Sequence, residues 1–176
     1  TTAVTLTSTE GGIIDGGDTG GADVITAGGR LVIDAVTGVG NGAALETTVA
    51  SVDIDNATSG NIEISDTNAI TVFKAVQGTA GNIGIAASGT ITVDNAGAGN
   101  AIAAAGTGTV TLDANGAASD LLVNDGILSV NGAITLTADN DVIFEATGDI
   151  ASTAGAVIIT ADADNGGASS GALTMV

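Results

Sequence analysis

The feature that most constrains this chain is a short motif that returns along its length: a small residue, an apolar–x–apolar triplet, and then Thr, Ser or Asp. The clearest copies span residues 132–139 and 155–162, and Gly108 begins the copy before them. Gly60 and Gly81 begin two more copies, each followed by Asn and an Ile–x–Ile triplet. Recurrence at a nearly constant period is the signature of a repeat architecture, in which each unit packs only on its neighbours.

The spacing of the motif predicts about eight rungs of roughly 22 residues, where a rung is one full circuit of the chain. A second alternating run follows the motif within each rung, as at residues 31–33 and 91–93, and period-two alternation indicates a strand. A third, weaker run occupies residues 127–130 and 148–151. Each rung is therefore expected to have three sides, one of them poor. The proposed rung starts are Val4, Val24, Leu45, Ile62, Ile83, Val110, Ile134 and Val157.

Short strands joined by Gly, Asn, Asp and Ser turns keep this recurrence only if equivalent strands stack in parallel. The predicted fold class is all-β, a parallel β-helix (β-solenoid), right-handed because parallel crossovers almost always are. Residues 1–176 are expected to form a single solenoid segment of a longer repeat array. An antiparallel β-sandwich is the alternative, and it rests on strand spacing alone. The positions expected to be buried are Val4, Leu6, Ile33, Ile54, Ile62, Ile64, Ile83, Ile85, Val110, Leu112, Ile134, Leu136, Val157 and Ile159.

Composition supports a uniform cross-section. Hydrophobic residues make up 44% of the chain but aromatic residues only 1%, so the core must be built from aliphatic side chains. Packing between elements at varied angles usually relies on aromatic rings, whereas a repeating cross-section does not need them. Proline is absent, which suits strands that have hydrogen-bonded neighbours on both sides. The mean hydropathy of +0.49 is too high for a disordered chain.

The net charge and the short apolar runs of the chain argue against two kinds of partner, nucleic acid and the membrane interior. Twenty Asp and Glu residues face only Arg30 and Lys74, giving a formal net charge of −18. Binding of nucleic acid is excluded because it requires a basic surface. No apolar run approaches the length that a bilayer requires, so no membrane insertion is expected. Crowded carboxylates predict that calcium or high salt raises the melting temperature by screening their repulsion.

The sequence offers little for catalysis. Histidine and cysteine are absent, which excludes Ser-His-Asp and Cys-His mechanisms and the common zinc sites. Asp53 and Asp55 lie two apart on one strand, and Glu63 on the next rung is a conceivable third carboxylate of a polysaccharide-degrading site. With no aromatic platform for a sugar, solvated surface charges are the favoured interpretation, and we expect no enzyme activity.

Calcium is the one cofactor that the sequence suggests. Residues 14–25, Ile-Asp-Gly-Gly-Asp-Thr-Gly-Gly-Ala-Asp-Val-Ile, resemble a nonapeptide of repeats-in-toxin proteins, in which glycines form tight turns and Asp carboxylates bind calcium between coils. The candidate ligands are Asp15, Asp18 and Asp23. A single copy of the motif is also compatible with a plain glycine-rich connecting loop.

The repeats resemble those of filamentous-haemagglutinin-like adhesins and related giant bacterial exoproteins. The resemblance is carried by residues 45–54 followed by 60–64, and by residues 134–139 and 157–162. It implies export to the bacterial cell surface or the extracellular space, and a long right-handed shaft. It also implies roles in adhesion, biofilm or surface coating.

The expected function is a structural shaft or fibre-forming segment, with copies of itself end to end, or adjacent repeats of a longer chain, as partners. End-to-end assembly is expected because strands are already legible at residues 4–7 and 173–176, with no capping element outside them. The alternative is a lateral face that binds surface carbohydrate or a host protein on other cells. A polysaccharide-degrading enzyme is the least favoured interpretation.

Overall fold

The computed structural model describes residues 3–17, 21–95, 97, 99–165 and 171–176. Over these residues the chain is entirely strands, turns and bends, and parallel strands stack into a β-solenoid of about seven rungs, roughly 23 residues apart. No helix in this described part is long and apolar enough to cross a membrane. Ile134 lies beside Val157 in a parallel pairing, which confirms the predicted solenoid and excludes the antiparallel sandwich.

Within the described residues, twenty strands form two sheets. The eleven-stranded sheet contains β1 (Val4–Thr7), β4 (Arg30–Ala35), β7 (Ser51–Asn56), β9 (Ile70–Gln77), β11 (Ile91–Val93), β12 (Ile102–Ala104), β14 (Leu121–Val123), β15 (Ile127–Ser129), β17 (Val142–Phe144), β18 (Ile150–Ser152) and β20 (Leu173–Met175). The nine-stranded sheet contains β2 (Ile13–Ile14), β3 (Val24–Ile25), β5 (Val39–Gly40), β6 (Leu45–Thr48), β8 (Ile62–Asp66), β10 (Ile83–Ala87), β13 (Val110–Ala114), β16 (Ile134–Ala138) and β19 (Val157–Thr160).

The third, poor side of the rung is confirmed. The first half of β9 pairs with β11, and its second half pairs with β12, so that Ile70 faces Ile91 and Ala75 faces Ile102. Strands β12, β15 and β18 then stack on one another as a separate short side. The cross-section is therefore three-sided from β11 onward, whereas β4, β7 and β9 are longer, unbroken strands.

The core is a set of aliphatic columns that run along the solenoid. Ile62, Ile83, Val110 and Ile134 stack in register, and all four are fully buried. Alternate residues of each strand point inward, so each column repeats one small range of side-chain sizes and needs no aromatic ring. Ten of the fourteen positions expected in the core are buried: Ile33, Ile54, Ile62, Ile64, Ile83, Ile85, Val110, Leu112, Ile134 and Leu136.

The four remaining positions lie at the two ends of the solenoid. Val4, Leu6 and Ile159 are only partly buried, and Val157 is 43% exposed, so the prediction that all four are buried was wrong. They point inward like their equivalents, but each belongs to a rung with a described neighbour on one side only. A solenoid core is closed by its neighbours along the axis, and the alternation of the sequence does not report whether a neighbour is present.

The count of rungs is about seven and not eight, because the first starts are not equivalent to the others. Ile62 stacks on Val39, whereas the sequence predicts Leu45 as its predecessor. Val24 and Leu45 each begin the second half of a strand that a loop divides, and Val4 belongs to the other sheet. A divided strand presents two apolar starts, so counting starts overestimates the number of rungs.

A glycine column fixes how closely the rungs approach one another. A Cβ added to any member would lie between 1.9 and 2.1 Å from a carbonyl oxygen of the preceding rung, which is far inside van der Waals contact. The small residue that opens each repeat is therefore required by packing between rungs. The members of this column are Gly60, Gly81, Gly108, Gly132 and Gly155.

Buried polar side chains secure the corners that follow the strands. Asn56 and Gln77 stack in register, and the Asn56 side chain donates to the Gln77 side chain. Asn56 Oδ1 accepts from the Gly38 backbone N–H at 2.9 Å, and Gln77 Nε2 donates to the Ala80 carbonyl at 2.6 Å. These amides satisfy turn backbone that would otherwise be buried without a partner, which is costly.

Candidate functional site

The first two rungs differ from the rest on the nine-stranded face, because loops interrupt their strands. Strands β2 and β3 are separated by a longer loop, of which the structure describes residues 15–17 and 21–23, and β5 and β6 by the loop at residues 41–44. The equivalent strand of the third rung, β8, is continuous and pairs with both β5 and β6. The two loops therefore emerge from neighbouring places on one face.

The shorter loop is held by a carboxylate of the next rung. Gly40, Asn41 and Gly42 all have positive φ, and the Gly42 backbone N–H donates to Glu63 Oε2 at 2.6 Å. Asn61 Nδ2 donates to the other Glu63 oxygen at 3.0 Å. Hydrogen bonds to an ionised acceptor are among the stronger ones. The Glu63 carboxylate therefore fastens this loop through the Gly42 N–H, and the donors that it binds are both neutral.

The longer loop brings three carboxylates together. One carboxylate oxygen from each of Asp15, Asp23 and Glu46 lies within 4.8 Å of the others. Asp23 and Glu46 are neighbours on successive rungs, because the Asp23 backbone N–H donates to the Glu46 carbonyl at 2.8 Å. Asp15 reaches the same place from the other end of the loop, immediately after β2.

Asp15 is the unusual member of this group. Its residue is only 9% exposed, and Oδ2 is inaccessible to solvent and has no hydrogen-bond partner among the residues that the structure describes. A buried carboxylate oxygen without a donor loses its hydration without compensation. Negative charges gathered this closely also repel one another, unless a cation lies between them.

The structure brings together two of the three predicted calcium ligands. Asp15 and Asp23 converge, and Asp18 lies outside the described residues. Glu46 was missed by sequence reasoning, because it lies outside the glycine-rich segment. The spacing along the sequence could have indicated Glu46. It follows Asp23 by one repeat length, roughly 23 residues, and so occupies the equivalent position on the next rung.

Three converging carboxylates suit a hard cation. Calcium takes six to eight oxygen ligands in flexible geometry, and carboxylates serve it in either one-oxygen or two-oxygen mode. The described part of the group contains only oxygen donors and no imidazole or thiolate, which argues against zinc and other softer metals. The residues present therefore fit calcium.

The carboxylates considered for catalysis are not assembled. Asp53 and Asp55 lie on β7 in the eleven-stranded sheet, whereas Glu63 lies on β8 in the other sheet. Asp53 pairs with Arg30 at 3.7 Å, and Asp55 pairs with Lys74 at 2.5 Å. Both basic residues of the chain are thus engaged on the outer face of the eleven-stranded sheet.

Arg30 makes a second contact on that face, because its guanidinium lies over the ring of Phe73 at 4.1 Å from the centroid. Such a cation–π contact holds the guanidinium close to the sheet. The contact accounts for one of the two aromatic side chains of the chain as a structural partner of Arg30.

Other acidic turn residues are occupied by backbone donors. Asp139 Oδ2 accepts from the Gly116 N–H at 2.6 Å, and Asp141 Oδ1 accepts from the Ala172 N–H at 2.7 Å. These bonds join each turn to its neighbour along the axis, and they assign both carboxylates a structural role.

The nine-stranded face also carries an open depression of about 400 Å³, whose lining includes Glu63, Gly84, Thr111 and Asp113. It exists because Gly84 places no side chain on the outer surface between Glu63 and Thr111, its register partners. No aromatic or basic side chain lines it. The anchors that usually dominate recognition at a protein surface are therefore absent from this depression.

Comparison with known proteins adds no family: no protein-family model, curated protein or solved structure matches this chain.

Proposed function

We propose that the chain is a structural shaft segment of a secreted bacterial surface protein, and that it extends by stacking further rungs on its ends. The observation that carries this proposal is the contrast between its closed sides and its open ends. Along the sides, the inward columns of the central rungs are buried by their neighbours. At the last rung, β19 pairs only with β16, and β20 only with β17, among the described strands.

The exposed end is both apolar and unpaired. Val157 and Leu173 are exposed on the last rung, although their register equivalents Ile134 and Val142 are fully buried. Met175 is also exposed, although its equivalent Phe144 is buried. An edge strand with free backbone groups is a template for another strand. A further rung, from the same chain or from another copy, would cover both the apolar side chains and the backbone edge.

Contact between one end of a copy and the other end of the next is heterologous, so it does not close and can propagate into a filament. The net charge of −18 opposes association side by side, which favours thin filaments over amorphous aggregates. The resemblance of the repeats to filamentous-haemagglutinin-like adhesins supports a bacterial surface location. Labelling of intact cells with antibody against this segment tests that location, and signal only after lysis would contradict it.

End-to-end assembly is tested by substitutions on β19. Val157 points inward and Ile158 outward on the same strand, and both are exposed. We expect the unmodified segment to form concentration-dependent elongated species in sedimentation velocity and electron microscopy. Val157→Lys should abolish them because it places a charge on the stacking surface. Ile158→Lys is the matched control and should leave them unchanged. A strictly monomeric unmodified segment, or equal effects of the two variants, would contradict end-to-end stacking.

A lateral binding face is the second candidate, and the depression beside Gly84 favours it. Gly84→Val would fill the depression without crowding, because a Cβ there meets nothing closer than 4.0 Å. Screening against a glycan array checks this candidate. Binding that is lost in Gly84→Val would support it, and no binding by the unmodified chain would remove it.

A further inference from the structure

We propose that Asp15, Asp23 and Glu46 form a calcium site that fastens the two described ends of the longer loop, residues 15–17 and 21–23, to the second rung. The three carboxylates come from both ends of the loop and from the neighbouring rung, with one oxygen of each within 4.8 Å of the others. A cation bound there would join two consecutive rungs. The proposal is independent of whether the chain acts as a shaft.

The buried oxygen of Asp15 is the observation that points to a ligand. Asp15 Oδ2 is sealed from solvent with no hydrogen-bond partner in the described part of the chain, and the residue is nine-tenths buried. Solvated surface carboxylates do not adopt this state, because they lose hydration without compensation. A calcium ion among the three carboxylates compensates that loss and removes their mutual repulsion.

The neighbouring loop shows what fastening without a metal looks like. Glu63 is bound by the Gly42 N–H and by Asn61 Nδ2, which are neutral donors. The longer loop instead brings the carboxylates of Asp15 and Asp23 to that of Glu46. Three carboxylates gathered this closely favour a cation, and calcium suits them better than magnesium, which demands near-ideal octahedral geometry and dehydrates reluctantly.

Isothermal titration calorimetry with calcium chloride, at constant ionic strength set by potassium chloride, tests the site directly. We expect a single saturable site, and calcium should raise the melting temperature more than potassium at equal ionic strength. Asp15→Asn and Glu46→Gln should each weaken binding at least about tenfold, because each removes a charged ligand. Glu145→Gln is the control: it makes the same change in charge at an exposed residue in a turn after β17.

Two results of the titration would overturn the site. One is no saturable binding by the unmodified chain. The other is an equal loss of affinity in Glu145→Gln and Glu46→Gln, which would indicate diffuse screening by the acidic surface. Hydrogen exchange on the unmodified chain gives a second readout that does not depend on the variants. Calcium should slow exchange of the amides of residues 21–26 and leave exchange of those of β13 unchanged. Saturable binding without that protection would place the ion elsewhere and contradict the assignment.

Discussion

The central rungs and the first two rungs are built from the same motif but are held together differently. From β8 to β16 the strands of the nine-stranded face are continuous, their columns are fully buried, and glycines set the distance between rungs. In the first two rungs the strands are interrupted, and Ile14 and Ile25, beside the longer loop, are 71% and 70% exposed. The repeated motif therefore produces the buried core. The loops that interrupt the repeat in the first two rungs instead bring polar side chains together, and these side chains can serve as metal ligands.

The largest effect is expected where the rungs approach most closely. Gly132→Ala places a Cβ 2.1 Å from the Gly108 carbonyl oxygen, and the next nearest atoms, Gly108 C and Thr107 O, are backbone atoms of the same rung. We expect a loss of at least about 4 kcal/mol in the free energy of unfolding, or failure to fold, because of overpacking against backbone. Urea unfolding followed by circular dichroism measures it.

Gly84→Ala provides the matched control, since a Cβ at that position is 4.0 Å from the nearest atom. It should change stability by less than about 1 kcal/mol. Similar stabilities for the two variants would show that the glycine column does not set the spacing of the rungs.

A smaller loss of stability is expected from truncating one side chain of the core. Leu112→Ala removes a fully buried side chain from a central column and should cost about 2–5 kcal/mol. Ile25→Ala, in the first rungs, removes a side chain that is already largely exposed and should cost less than about 1 kcal/mol. The same unfolding measurement checks both. An equal loss in the free energy of unfolding for the two variants would contradict the difference between the central rungs and the first rungs.

The smallest effect concerns the fastening of the shorter loop. Glu63→Gln keeps the shape of the side chain but removes the charge that accepts from the Gly42 N–H and Asn61. We expect a loss of about 1 kcal/mol, and faster exchange of the Gly42 amide. Asp34→Asn, at an exposed position on β4, is the control and should change neither. Unchanged exchange at Gly42 in Glu63→Gln would contradict the role assigned to this carboxylate.

The fold was predictable because the inward positions repeat. Ile83, Val110 and Ile134 are recognisable from alternation and spacing alone, and parallel stacking follows from their recurrence. The interior amides were not predicted, because Asn56 and Gln77 are polar residues at the ends of their strands, where polar side chains are usually expected to face solvent. Only the stacked register shows that they face inward and bind the turns.

The candidate site was only half visible in the sequence. Asp15 and Asp23 stand out because glycines surround them, whereas Glu46 lies in an ordinary strand and becomes a neighbour only through the pairing of β3 with β6. That pairing depends on loop lengths in the first two rungs, and those loops are where the count of rung starts failed. Local patterns report a strand and its faces, but contacts between rungs require the register.

Residue-resolved amide hydrogen exchange on the isolated chain is the most direct test of whether the continuous central rungs are more stable than the first and last rungs. The amides of Ile83, Val110 and Ile134 donate to carbonyls of the following rung at 2.8 to 3.0 Å, inside the continuous part of the stack. We expect these amides to exchange slowest, through global unfolding, and those of β3 and β20 to exchange through local opening. Uniform protection along the chain, or slower exchange in β3 than in β13, would contradict it.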